Sequence, residues 1–405
     1  MSSIQSIRVK VSDDIDLGLI QKFAREKLVQ LEASDRDSQE FLMEIPKFLH
    51  DNGILQIVTP KEFGGREAAV ADLIWIIREL SYGSPSAAAT FIGNLLGYSA
   101  LILYGQKELR ERLCRSYMKD FCLWSFAMTE AGAGSDLMNI ATNARRTPNG
   151  FVLNGEKNFI TNATHSSHMA VFARLYGMNG EDEGISCFYV PGNAKGLTRG
   201  EPLKKIGWKR ANTGALYFKD VVLGHECLLG TPGQGLRILT QCLNRSKTLL
   251  GAMGVGIATR ALDLVYERLC ETTRFTKKLI DLHAIRHVLA RAATQVDAAW
   301  LLVSRAAATW DAGLPAVKES SMAKLMGGNV AVDVSNQAME LFGARGFLQE
   351  FEVSRLVSDA KAIDIVEGPS LVQELLIAKE VVPVPKSAEK KDPYKLQASE
   401  LKKAS

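Results

Sequence analysis

Ala127-Met128-Thr129-Glu130-Ala131-Gly132-Ala133-Gly134-Ser135-Asp136 is the stretch on which the reading of the fold turns. A strand enters a loop with two closely spaced glycines, where Thr129, Ser135 and several bare backbone N–H groups become available. Such a loop can lie against a flat polar heterocycle, with its amides directed at ring carbonyls. An ordinary glycine-rich turn fits the same residues equally well. A Rossmann fingerprint does not, because no third glycine follows Gly132-x-Gly134 at the required place and no βαβ unit surrounds it.

The loop also marks a change of texture. Before it, apolar residues recur at helical spacing: Leu17, Ile20, Phe23, Ala24, Leu28 and Leu31, then a segment from Ser38 that stops at Asn52-Gly53. Two further helices are predicted over Val70–Leu80 and Ser86–Tyr104, the second dense in small residues (Ala87, Ala88, Ala89, Thr90, Gly93, Asn94, Gly97). Those small residues leave room for a ligand or for close helix packing. After the loop, runs of β-branched and aromatic residues alternate with turns. Asn149-Gly150 between Ala141–Arg146 and Phe151–Asn154 is a strong hairpin signal, and strands fit Met169–Leu175, Ile185–Val190 and Ala215–Leu223. The last third returns to helix over Leu236–Thr273, His283–Gly313 and Ser320–Leu341.

The expected class is therefore α+β. It has a helical N-terminal domain (1–122), a central antiparallel β domain (123–228), a C-terminal helical bundle (229–383) and a Pro-, Lys- and Glu-rich flexible tail (384–405). At 405 residues the chain exceeds one core, and 46% hydrophobic residues suffice for several. A net charge of +4 gives no case for nucleic acid. Six cysteines without CxxC pairing read as reduced thiols in the cytoplasm. Met1–Lys10 lacks the apolar core of a signal peptide, the end Lys-Lys-Ala-Ser is no peroxisomal address, and no stretch reads as long and apolar enough for membrane insertion.

Near the far end stands Asp364-Ile365-Val366-Glu367-Gly368-Pro369-Ser370. It delivers one carboxylate between apolar residues and a Gly-Pro turn. Desolvation there would weaken the charged form of Glu367 and make it a better base. Gly368 can present its N–H where a side chain would block approach, as an oxyanion contact needs. A plain helix start, with Glu367 facing the dipole, explains the residues as well. His283 and His287 sit one helical turn apart, but no acid lies between them and a metal site is not expected. His165 and His168 read as a solvent-side turn.

Three stretches together resemble the signatures of the acyl-CoA dehydrogenase family. They are residues 127–136, then Gly155-Glu156-Lys157-Asn158-Phe159-Ile160-Thr161-Asn162 leading to Ala170–Arg174, and Asp359-Ala360-Lys361 leading to Ile365–Gly368. The resemblance covers roughly 15–382. It implies FAD-dependent α,β-dehydrogenation of an acyl-CoA, with Glu367 as the base and the Gly368 N–H as an oxyanion donor. It places Met128, Thr129, Gly134, Ser135, Phe159 and Thr161 against the flavin, and Arg274, Phe275, Glu340 and Ala344 near its phosphates. It assigns Thr90, Gly93, Asn94, Ser135, Lys247, Val366 and Gly368 to the substrate. It implies an electron-transfer flavoprotein as partner, and a homotetramer rather than a dimer.

Departures from the family pattern accompany the matches. Some relatives carry the base at the position of Ser246, and serine is no base for this proton. Phe159 replaces a tryptophan, Thr272 an arginine with Arg274 as substitute, Glu340 a frequent glutamine and Ala344 a glycine; Pro369 removes a hydroxyl and an N–H. Each bears on FAD affinity, and Arg345 could offset Glu340. Ser86–Tyr104 offers no arginine or lysine, which argues against a substrate with a second carboxylate. The alternatives are a dehydrogenase of a carrier-protein-bound acyl or aminoacyl group, and a non-catalytic scaffolding subunit with the same fold.

Overall fold

A computed structural model describes residue 12 and residues 15–33, 39–274 and 276–382. The expected tail at 384–405 lies outside the described residues. The N-terminal region comprises α1 (Leu17–Lys22), α2 (Val29–Ala33), α3 (Gln39–Asp51), α4 (Val70–Gly83), α5 (Pro85–Tyr104) and α6 (Lys107–Tyr117). Between α1 and α2 the helix widens into a π-helical stretch, Phe23–Leu28, with Phe23, Ala24 and Leu28 buried. Gly83 makes this packing possible, since a Cβ there would stand 2.1 Å from the Ala24 carbonyl. The start of α5 follows from its residues. Ser84 accepts the Ala87 N–H at 3.1 Å as N-cap, and Pro85 fills the first helical position, where no N–H is needed.

The middle region is β1 (Trp124–Ala127), β2 (Asn143–Thr147), β3 (Gly150–Thr161), β4 (His168–Tyr176), β5 (Asp182–Pro191), β6 (Leu197–Arg199), β7 (Thr213–Leu223) and β8 (Leu228–Leu229). These strands form one sheet in the order β6-β7-β3-β2-β4-β5-β8, with β1 also on β4. The sheet is mixed, which corrects the antiparallel expectation: β1 and β2 both run parallel to β4. They divide one edge of β4 between them, Trp124–Ala127 opposite His168–Val171 and Asn143–Arg145 opposite Arg174–Tyr176. The chain between them leaves the sheet, so residues 128–142 are projected as a loop. Hairpin pattern and turn residues do not reveal such a split edge.

The hairpin between β2 and β3 forms one residue earlier than its Asn-Gly signal suggests. Thr147 pairs with Gly150, and Pro148-Asn149 make the turn. Gly150 serves a different purpose: at φ 141° it lets the Leu223 carbonyl approach where a Cβ would lie only 2.0 Å away.

The C-terminal region begins with α7 (Gly235–Glu271). A short hairpin, β9 (Thr273–Arg274) and β10 (Lys277–Lys278), follows, then α8 (His283–Asp311), α9 (Val317–Phe342), α10 (Glu352–Ile365) and α11 (Ser370–Val381). Glycines set the α7–α9 crossing: a Cβ on Gly254 would meet the Gly327 carbonyl at 2.2 Å, and one on Gly327 the Gly251 carbonyl at 2.5 Å. By length and composition α5 and α7 could each cross a membrane, which corrects the expectation that no stretch could. Their apolar windows are instead 89% and 72% buried within the fold.

A buried ionic network ties the three regions together. Glu32 accepts from Arg210 at 3.2 Å, lies 3.7 Å from Arg355 and receives the Ser84 hydroxyl. Arg355 also holds Asp359 at 2.8 Å, and Asp359 takes the Trp208 N–H at 2.6 Å. Burial pushes the Asp359 carboxyl up to about 6. This network fixes α10, and with it the turn that α10 delivers.

Candidate active site

That turn carries Glu367. α10 ends at Ile365 and α11 begins at Ser370, leaving Glu367 at φ 52° and Gly368 at φ 91°, both left-handed. Glycine accepts this conformation freely, whereas a glutamate does so at a cost of about 1–3 kcal/mol. The surroundings hold it in place. Buried Gln373 donates from Nε2 to the Gly368 carbonyl at 2.8 Å and to the Glu367 carbonyl at 3.4 Å. Lys324 Nζ donates to the Gly368 carbonyl at 2.6 Å, and the Ser370 hydroxyl closes the turn onto Asp364. With its carbonyl directed at Gln373, the peptide joining Glu367 to Gly368 turns its N–H the other way. That N–H donates to nothing among the described residues. Glu367 precedes α11 and is not in its first turn, so the plain helix-start reading does not describe its place.

Among the described residues the carboxyl has one hydrogen bond. Ser246 on α7 donates to Oε1 at 3.0 Å, and Oε2 is buried without a partner. Burial pushes Glu367 up to about 7, despite the Ser246 hydrogen bond and the nearby ammoniums of Lys324 and Lys247. Both lysines are themselves pulled down to about 8 by burial. Lys247 Nζ is held by Asn244 Oδ1 at 2.8 Å. A carboxyl raised toward neutral pH suits a general base, which is most effective when its pKa lies near the working pH.

Ser246 also lines a narrow cavity between α5 and α7. Ile92, Leu95, Leu96 and Leu103 form one wall, Cys242, Arg245 and Leu249 the other. Its cavity volume is about 20 Å³, and the space that includes open solvent is about 360 Å³. Thr90, Gly93 and Asn94 are not among its lining residues. Asn94 is occupied with the fold, donating to the Tyr117 hydroxyl at 2.7 Å and accepting the Trp124 N–H at 3.0 Å. Gly93 faces Thr161, whose Cγ2 would be 2.8 Å from an added Cβ. Gly93, Asn94 and Gly97 therefore serve close packing against β1 and β3, while Ile92, Leu95 and Leu96 face the cavity.

The first two signature stretches form one unit. The Thr129 carbonyl accepts the Asn158 N–H at 2.8 Å, and Lys157 Nζ reaches the Met128 carbonyl at 2.9 Å and Glu130 at 2.6 Å. Burial alone would raise Glu130, but Lys157 and the N–H groups of Ala141 (2.7 Å) and Thr142 (3.1 Å) outweigh it and hold the carboxyl low. Above this foot the loop is open. Gly134 and Ser135 are exposed, and a Cβ on Gly132 or Gly134 would meet nothing. A bulge in β3 opposite β7 throws Phe159 outward at φ 60°, 66% exposed. An exposed aromatic face beside bare amides and the half-buried Met128, Thr129 and Thr161 fits a flavin ring.

The remaining candidates lie apart from Glu367 in the chain's own contacts. Arg274 is exposed on the β9–β10 hairpin, Glu340 is exposed late in α9, and Ala344 is exposed just beyond it. Phe275 lies outside the described residues. Val366 is half-buried beside the base. His283 and His287 are exposed on α8. His168 corrects its solvent-side reading: it opens β4, packs 4.8 Å from the Trp124 ring, bonds to the Tyr189 hydroxyl at 2.9 Å and is pulled by burial down to about 4. Sequence reasoning did not find Lys324, Gln373 or the Glu130–Lys157 pair. A lone lysine within Ser320-Ser321-Met322-Ala323-Lys324-Leu325-Met326-Gly327 was the available signal, since such surroundings bury charge only for a reason.

Known proteins resemble this chain in sequence and fold. Family models match for the acyl-CoA dehydrogenase N-terminal domain (18–119), middle domain (125–221) and C-terminal domain (233–382). The chain is 33% identical to cyclohexane-1-carbonyl-CoA dehydrogenase of Geobacter metallireducens, over 90% of this chain and 95% of that one. It is also 33% identical to 3-(aryl)acrylate reductase of Clostridium sporogenes, over 89% and 97%. Its fold superposes on butyryl-CoA dehydrogenase of Megasphaera elsdenii with a TM-score of 0.85 and 28% identity, over 91% and 97% of the two chains. The chain belongs to the acyl-CoA dehydrogenase family of flavin-dependent enzymes.

Proposed function

We propose that the chain dehydrogenates an acyl-CoA to the 2-enoyl thioester, with Glu367 removing the proton beside the thioester carbonyl. FAD, when bound, supplies the acceptor for the hydride from the neighbouring carbon. The observation that carries the reading is the Glu367 carboxyl: buried, with Oε2 unpaired and its pKa raised to about 7. Such a group takes a proton readily at neutral pH and has room for one. The free Gly368 N–H supports its assignment as donor to the thioester oxygen, where negative charge develops as the proton leaves. Gln373 holds the carbonyl of that peptide, and Lys324 and Gln373 hold the carbonyl of the next one. Lys247 and Lys324 add positive charge beside a base that becomes neutral as it works.

Met128, Thr129, Gly134, Ser135, Phe159 and Thr161 are the residues we assign to the flavin ring, with Ser135 also toward the CoA arm. The exposed hairpin bearing Arg274 suits a reach into a neighbouring copy, and the assembly proposed is a homotetramer. Electrons are proposed to leave to an electron-transfer flavoprotein. The test is an anaerobic absorption spectrum of the purified protein before and after addition of straight-chain, branched and cyclic acyl-CoA thioesters. Bleaching of the flavin band by one of them is the expected result. A flavin band that no thioester bleaches overturns the assignment.

A further inference from the structure

Arg245 stands out in the wall of the α5–α7 cavity. Cys242, Arg245, Ser246 and Leu249 follow the spacing that puts residues on one helix face, and all four line the cavity. Ser246 marks the end of the cavity at the base, because its hydroxyl holds Glu367. Opposite stand Ile92, Leu95 and Leu96. Into this apolar space α7 inserts a guanidinium whose Nε is buried with no hydrogen-bond partner, and Arg245 makes no ion pair among the described residues. Asp311 favours its cationic form. Both Asp311 oxygens are already engaged by the first N–H groups of α4, Val70 at 2.7 Å and Ala71 at 2.9 Å. A half-buried arginine whose Nε is buried and unmet is an unfavourable arrangement unless something else supplies the acceptor.

We propose that Arg245 is a specificity residue, and that the acyl group carries a carboxylate at its distal end which Arg245 receives. This rests on the proposed dehydrogenation and names its substrate class. The planar fork of arginine suits a carboxylate, which can accept two of its N–H groups at once. Lys247 and Lys324 place two further cationic groups near Glu367 at this end of the bundle. The absence of a cation on α5 suggested the opposite from sequence; here α7 supplies one. A purely alkyl chain would leave the buried Nε of Arg245 against methylene groups with no acceptor.

The test compares thioesters of equal length, pentanoyl-CoA against glutaryl-CoA and hexanoyl-CoA against adipoyl-CoA, by flavin bleaching and by kcat/KM. The flavin-loaded wild type should favour the acid-ended member of at least one pair by about tenfold or more. Arg245→Leu should lose that preference and gain on the alkyl member, whereas Arg245→Lys should keep part of it. Wild type that prefers the alkyl member of both pairs overturns the inference, even if the leucine variant fails to fold. So does a leucine variant that slows both members equally. Bleaching by alkyl thioesters but not acid-ended ones removes this inference alone, while bleaching by none removes the proposed dehydrogenation.

Discussion

Glu130 and Glu367 bring the same carboxyl group into the interior, at the foot of the glycine-rich loop and on the turn between α10 and α11. Glu130 meets Lys157 at 2.6 Å and two backbone N–H groups, and is held ionised. Glu367 meets one serine hydroxyl, leaves Oε2 bare and is pushed to about 7. Burial acts on both in the same direction; the count of donors decides the outcome. A carboxylate whose lone pairs are filled is a structural anchor, and one left unfilled is available to a proton. The contrast also explains why Lys247 and Lys324 do not neutralise Glu367 as Lys157 neutralises Glu130. Their ammoniums bond to Asn244 and to the Gly368 carbonyl instead.

The largest effect expected from this contrast is on turnover. Glu367→Gln keeps the shape and removes the base, so the rate of flavin reduction by a substrate thioester should fall by about 10²–10⁴-fold, with flavin content near that of wild type. Retained activity would place the base elsewhere. The matching change at the other carboxylate should strike stability. Lys157→Met leaves Glu130 buried without its ion partner, at about 3–5 kcal/mol, and frees the Met128 carbonyl. Urea unfolding should show the loss, and flavin retention should fall with it because the loop is anchored there. Combining Lys157→Met with Glu130→Gln should recover part of the loss. Strictly additive losses would mean that the two groups do not act as a pair.

How much of this was legible beforehand follows from the kind of interaction involved. Helix spacing and turn residues announced α4, α5, α7, α8 and α9 to within a few residues, because those signals are local. The signature residues pointed to the loop at 127–136 and to Glu367 for the same reason. The parallel placement of β1 and β2 on β4 depends on pairing between distant segments, and alternation within a strand does not encode it. The packing roles of Gly93 and Asn94 were hidden likewise: small residues on a helix look the same whether they face a ligand or a neighbouring strand. Lys324 acts through a contact 44 residues along the chain, Gln373 through the shape of the turn before its own helix, and Arg245 through the cavity that two distant helices enclose. Nothing beside them in the sequence says what they touch.

Smaller effects sharpen the comparison. Ser246→Ala removes the only hydrogen bond to the Glu367 carboxyl among the described residues, one that favours its ionised form. Its pKa should rise further, by about 1–2 units if the bond contributes about 1.5–3 kcal/mol. The rate at neutral pH should then drop about tenfold and recover as pH rises. A pH profile that does not move would mean that Ser246 only fills space.

The smallest effect is the opposite pH dependence of the two carboxyls in stability. Glu367 has a folded pKa raised from 4.5 to about 7, so its contribution is fully present below 4.5 and is lost as pH climbs through about 7. Glu130 has a folded pKa below 4.5, so its contribution is present above that value and is lost as pH falls through the depressed one. Glutamine at either position removes the titration. Relative to wild type, Glu367→Gln should therefore gain stability as pH is raised from about 5 to about 8, on the order of 1 kcal/mol. Glu130→Gln should show no such gain over that range, and its deficit should shrink only as pH is lowered toward and below 4.5. Urea titrations of the three proteins across pH measure both slopes. If the two variants track each other, the donors around each carboxyl do not set its ionisation, and the distinction between anchor and base fails with them.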